Sequence, residues 1–188
     1  DLIFSLAEES ELEDRRLVLV AVDNSTINAF AVPGGVVGVH TGLIEKAETE
    51  AELASVLTHE LAHVSQRHFS RGVEAQKASN IAMLGGLLAG MVAIAAGSTD
   101  AGVGAIMGGQ AAAQQRSLSF SRSHEQEADR IGIQNLHRSD RDPMGATNMF
   151  KVMQRESRRY GSRPPEFLLT HPLTQNRIAD ARNRASQY

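Results

Sequence analysis

The segment Val56-Leu57-Thr58-His59-Glu60-Leu61-Ala62-His63 carries the pattern H-E-x-x-H. On an α-helix, residues i and i+4 stack on one face. His59 and His63 can therefore direct two imidazoles at one small cation. Zn²⁺ accepts such nitrogens at about 2.0–2.1 Å and takes four ligands. Glu60 lies about 100° around the helix from His59, within reach of a water that the metal makes more acidic. Such a water is the nucleophile of a hydrolase. The pattern is short, and chance matches occur on exposed helices that hold no metal. Here the flanking run Ala51-Glu52-Leu53-Ala54-Ser55-Val56-Leu57 is helical and partly apolar, which places the motif on a buried helix. Two histidines and a glutamate are costly there unless something satisfies them, and a metal would.

A second cluster follows at Ser121-Arg122-Ser123-His124-Glu125-Gln126-Glu127-Ala128-Asp129. Glu125 and Asp129 also stand at i and i+4. A carboxylate from a second helix is the natural third ligand beside two histidines. Asp129, one turn on, can accept the free N–H of a ligating imidazole and fix its tautomer. His124 and Glu127 are alternative ligands, turned about 100° and 200° from Glu125, so Glu125 is preferred. The plain alternative is an exposed acidic face paired with Arg122 and Arg130. His171 precedes Pro172, which holds it extended. It is a candidate fourth ligand or oxyanion donor, assisted by Arg177, or else an ordinary loop histidine. His68 lies about 140° around the helix from His63 and reads as a packing residue rather than a ligand.

The elements that must position these residues can be read along the chain. Its 188 residues form a single domain, 41% hydrophobic but only 4% aromatic, so the core is aliphatic. A net charge of −3 argues against nucleic acid as a partner. With no cysteine, disulfides, thiolate ligands and cysteine nucleophiles are all excluded. The chain starts at Asp1 rather than Met and reads as a mature or trimmed chain, its signal removed. Residues 1–14 read as a short helix or lead-in. Leu17 to Val22 is β-rich, and two more short strands flank Pro33-Gly34-Gly35, which predicts a small antiparallel sheet of three strands. An open sheet edge can pair with an extended peptide. Thr49 caps the motif helix, with Glu52 completing a capping box, and the helix is expected to run to about Arg71. Residues 81–113 hold Asp100 as their only charge. They predict a Gly/Ala-rich helical hairpin, either a plain buried pair, a lid, or a membrane-contacting segment. Ile81 to Ala96 supplies 16 uncharged residues, short of the ~20 of a spanning helix. Further helices are expected over 117–137, 144–159 and, capped by Thr174, 175–184.

Taken together the chain resembles the HtpX/Oma1-like, CAAX-prenyl-protease-related family of zinc metallopeptidases within the gluzincins, closest to its periplasmic BepA/LoiP-type branch. The resemblance rests on Asn28-Ala29-Phe30-Ala31 with Pro33-Gly34-Gly35, Thr41-Gly42-Leu43, the helix from Glu52 through His59 and His63 to His68, Ser121-Arg122 through Glu125 to Asp129, and Thr170-His171-Pro172 with Arg177. It implies an α+β, mostly helical zincin-like fold. It implies one Zn²⁺ on His59, His63 and Glu125, with Glu60 as general base and Asp129 handling protons or holding a ligand. It further implies that the strand of Asn28, Ala29 and Phe30 binds substrate, and that His171 can cap the zinc. Expected partners are protein or peptide substrates and membrane or outer-membrane assembly partners, in the bacterial cell envelope. The tetratricopeptide repeats of that branch are not represented up to Tyr188, so partners that depend on repeats are not implied. Two rival readings remain: a zinc-stabilised chaperone or assembly factor with a closed site, and an inert helical module.

Overall fold

The computed structural model describes residues 1–159 and 164–188. The elements run α1 (Leu2–Glu8), β1 (Val18–Val22), β2 (Ala29–Val32), β3 (Val36–His40), α2 (Thr41–Lys46), α3 (Glu50–Ser65), α4 (His68–Ala95), α5 (Thr99–Arg138), α6 (Met144–Arg159), α7 (Phe167–Thr170) and α8 (Gln175–Ala185). Contacts group them into two compact units, one of residues 1–67 with 125–188 and one of residues 68–124.

The first unit is built around α3. Thr49 caps it by accepting from the Glu52 N–H, while the Glu52 carboxylate accepts from Glu48 rather than from the cap residue. The helix stops at Ser65, short of the expected Arg71, because Arg67 turns into the left-handed region at φ 54°. His68 therefore opens a new helix. The core is aliphatic, as the composition requires. Ile3 and Leu6 of α1, Val37 and Val39 of β3, Leu57 and Leu61 of α3, and Met149 and Met153 of α6 share one cluster.

The sheet is mixed, in the order β1-β3-β2, and this corrects the all-antiparallel expectation. β2 and β3 form the hairpin that Pro33-Gly34-Gly35 predicts, with both glycines at positive φ. β1, however, runs parallel to β3. Residues 23–28 are too long for a tight turn, so β2 returns one strand-width away and β3 occupies the gap. The consequence is that β2 is an edge strand. The His40 N–H donates to the Asn28 carbonyl. With the register Ala29↔Val39 and Phe30↔Gly38, alternation then points the backbone N–H and C=O groups of Ala29 and Ala31 away from β3.

α5 is a single helix of 40 residues, where two shorter ones were expected. No proline interrupts 99–138, and the glycines at 102, 104, 108 and 109 do not break it. In the first unit its last turns lie against α3 at Gly132. A Cβ there would stand 3.1 Å from the His59 nitrogen and 3.3 Å from its Cα. A larger side chain would force the helices apart. Gly132→Val is expected to destabilise the fold by about 1–3 kcal/mol through overpacking, as read by chemical denaturation. Gly72→Ala, in α4 with nothing within 4 Å of the added Cβ, should instead stabilise by about 0.5–1 kcal/mol.

Candidate metal centre

Two helices and one loop of the first unit bring the site together. α3 presents His59, Glu60 and His63. Gly132 lets α5 approach α3 closely, and Glu125 and Asp129, two turns and one turn earlier on the same helix, then face the histidines. The segment after α7 carries His171, whose N–H donates to the Phe167 carbonyl and whose ring stacks on Phe167. That segment is tied to the residues before β2. The Phe167 N–H donates to the Ile27 carbonyl, and the Thr26 hydroxyl donates to Glu166.

Four side chains converge. The Nε2 atoms of His59 and His63 are 3.0 Å apart. Glu125 places Oε2 at 3.5 Å from His59 Nε2 and Oε1 at 3.4 Å from His63 Nε2. His171 Nδ1 stands 2.9 Å from Glu125 Oε1 and 3.4 Å from His59 Nε2. One donor atom from each lies within 4.8 Å of all the others. Ligands at about 2.0–2.1 Å from a tetrahedral ion stand about 3.3 Å apart. The separations bracket that value, so the donor set fits a small divalent cation.

The surroundings fit as well. His59 Nδ1 lies 3.0 Å from Asp129 Oδ1, which fixes the tautomer and leaves Nε2 to face the other donors. Arg177 clamps Asp129 with two bonds, Nε to Oδ2 at 2.7 Å and Nη2 to Oδ1 at 2.8 Å. Its Nη1 reaches the Pro172 carbonyl at 2.9 Å and Glu125 Oε2 at 2.8 Å. Arg177, expected beside substrate, is thus buried and bonded to the two carboxylates and to the loop of His171. Burial works to lower the His59 pKa, but its bonds to Asp129 and Glu125 outweigh this and raise it to about 9. Burial works to raise the Glu125 and Asp129 carboxyls, but bonds from His171 and His59, and from Arg177 and His59, hold both well below the usual carboxylate range. The centre is thus organised for positive charge.

Glu60 differs from its neighbours. Burial dominates and pushes its carboxyl up. Oε2 accepts from the Ala31 N–H of β2 at 3.1 Å, while Oε1 has no hydrogen-bond partner among the described residues and lies 3.4 Å from His171 Nε2. Asn28 and Ala29 sit at the start of the edge strand, and the Phe30 ring packs over Gly38 and meets His40 edge-on. Of the alternative ligands, His124 stacks on His68, their ring centroids 4.1 Å apart, and lies outside the donor set. The roles of Gly132 and of the Ala31 N–H went unread in the sequence. The pattern Glu125-x₃-Asp129-x₂-Gly132, one helix face with a small residue at its end, could have given the first. Nothing in the sequence signals the second.

The profile of peptidase family M48 matches residues 1–185. The chain is 46% identical over 167 residues to the β-barrel assembly-enhancing protease of Escherichia coli K12, covering 88% of this chain and 34% of that protein. It is 43% identical to the putative β-barrel assembly-enhancing protease of Vibrio cholerae, covering 89% and 34%. It is 31% identical to the mitochondrial metalloendopeptidase OMA1 of Schizosaccharomyces pombe, covering 90% and 47%. The chain thus spans about a third of the length of the bacterial relatives.

Removing the Asp129 carboxylate should weaken divalent-metal binding about 10–100-fold. Competition with a chromophoric chelator measures this on Asp129→Ala, and unchanged affinity would contradict the assigned contact. The matched profile and the metalloendopeptidase relatives agree with the convergent His59, His63 and Glu125, and the chain belongs to peptidase family M48, a family of metallopeptidases.

Proposed function

We propose that the chain acts as a zinc-dependent endopeptidase that cleaves misfolded or membrane-associated proteins in the bacterial periplasm. The observation that carries this reading is Glu60. Its buried Oε1 has no hydrogen-bond partner among the described residues and stands beside a donor set that suits a cation. His59, His63 and Glu125 would hold the zinc, which when bound supplies the Lewis acidity that activates a water and polarises a carbonyl.

The chain's own residues do the rest. Glu60 Oε1 takes the proton of the attacking water and later delivers it to the departing amine nitrogen. Burial raises its proton affinity, the direction in which a general base is tuned. The Ala31 N–H holds the other oxygen, so the carboxylate is aimed from the same strand that would hold the substrate. β2 is an edge strand whose outer side already receives Glu60 through the Ala31 N–H, and an edge of this kind can take an extended peptide; this supports Asn28, Ala29 and Phe30 as the substrate-binding strand. Asp129, held by Arg177, keeps the His59 tautomer fixed.

His171 Nδ1 stands in the fourth position of the donor set. This favours a resting state in which His171 caps the metal and substrate must displace it. The same geometry is what a zinc-stabilised chaperone with a closed site would have. The names of the bacterial relatives connect them with β-barrel assembly, which supports envelope proteins as substrates or partners here.

Glu60→Gln should retain metal and lose about 10²–10⁴-fold in cleavage of an unfolded protein. Undiminished cleavage by metal-loaded Glu60→Gln would remove the proposed mechanism. His171→Ala should cleave faster than the parent chain if it is a cap. A slower rate would make it a transition-state group, and no turnover in either would favour the chaperone.

A further inference from the structure

Residues 68–124 form the second unit, and its surface is the reverse of what an aqueous hairpin needs. Ile81, Leu84, Leu88, Met91 and Val92 are all exposed on α4, Ile81 to 71% and Val92 to 70%. Val103 and Met107 are exposed on α5. Leu84, Leu88 and Met91 or Val92 repeat along one stripe, and Ile94 flanks it. The remaining side of α4 is spent on α5. Cβ atoms on Gly86, Gly90, Gly102 and Gly109 would collide with the facing helix. Gly86 and Gly90 are spaced as small-xxx-small, the arrangement by which helices approach closely where no hydrophobic effect drives them together. α4 is long and apolar enough to cross a membrane, yet little of it is buried as a core helix would be.

The charges mark the limits of this apolar body. The contacts pair Gly86 with Gly109, Gly90 with Ile106 and Gly102 with Ile94. Continuing that register toward the base brings the exposed Lys77 and Arg116 to one level. Between Lys77 and the end of α4 lie 18 residues without charge, about 27 Å of helix. On α5 the stretch 101–115 is also uncharged. The only charge beyond that base is Asp100, at the turn itself. A hydrocarbon layer is about 30 Å thick.

We propose that the hairpin of α4 and the first half of α5 inserts tip first into a lipid bilayer. Lys77 and Arg116 stop at the near headgroups, where their charge suits phosphate, and Asp100 reaches the far ones. Lipid acyl chains cover Ile81, Leu88 and Val92. The occupant is a bilayer rather than a second copy of the chain because both helices of the pair carry exposed apolar side chains, α4 is long and apolar enough to cross a membrane, and cations, not a hydrophobic rim, bound the apolar zone.

The chain has no cysteine, so single labels can be placed at will. The 188-residue chain is mixed with vesicles of phosphatidylethanolamine and phosphatidylglycerol and floated on a density gradient. The parent chain should float with the lipid, and Leu88→Glu with Val92→Glu should float at least tenfold less, with the same circular dichroism and metal content. A fluorophore on Leu84→Cys should be quenched by bromines deep in the acyl chains. One on Lys77→Cys should be quenched only by headgroup quenchers. A parent chain that stays in the lipid-free fractions overturns the proposal. So does a double variant that floats equally well, a Leu84 label that deep bromines do not reach, or a lipid-free dimer that the double variant disrupts.

Discussion

Three carboxylates and one fixed cation share the interior beside α3. Glu60, Glu125 and Asp129 are each at most 6% exposed, and Arg177 is 4% exposed. With every carboxylate ionised, that interior carries a deficit of two positive charges. Charge buried without compensation is costly enough that groups change protonation instead. The directions seen here are that response: His59 is raised to about 9, and Glu60 is pushed up. A divalent cation at the centre of His59, His63, Glu125 and His171 would meet the same deficit without protonating a ligand or the base. The electrostatics of the fold and the donor geometry therefore ask for one thing.

The scaffold serves that demand through close approaches rather than bulk. Gly132 brings α5 onto α3 at His59. Arg177 on α8 then binds Asp129, Glu125 and the Pro172 carbonyl at once, so one guanidinium fixes a supporting acid, a ligand and the loop of His171. The Ala31 N–H joins the base to the edge strand. Placement of metal donors, base and substrate edge thus depends on a few bonds among α3, α5, α8 and β2, and a shift in any one would move the others.

Much of this was legible in the sequence because it is local. Spacings of four residues put His59 over His63 and Glu125 over Asp129 on helix faces, and helical geometry alone makes that prediction. Thr49 and Thr174 announce their helices as caps. The Pro33-Gly34-Gly35 turn announces its hairpin. What failed depends on long-range placement. The parallel pairing of β1 with β3 follows from where a loop lands, which no residue type encodes. The stop at Arg67 needs a left-handed backbone at a non-glycine residue, so the helical pattern runs on past the true end of α3. The fusion of two expected helices into α5 shows glycines tolerated where a neighbouring helix packs on them. The bonds of Arg177 to Asp129 and Glu125 are equally hidden, because these partners lie 48 and 52 residues away, on α5.

The metal is the point on which site, base and fold all converge. The purified chain, prepared without chelators, should carry about one zinc per chain by mass spectrometry, and His59→Ala of intact fold should carry essentially none. A folded parent chain that holds no divalent metal, even after incubation with zinc, would leave the buried carboxylates without their counter-charge and contradict the account at its centre.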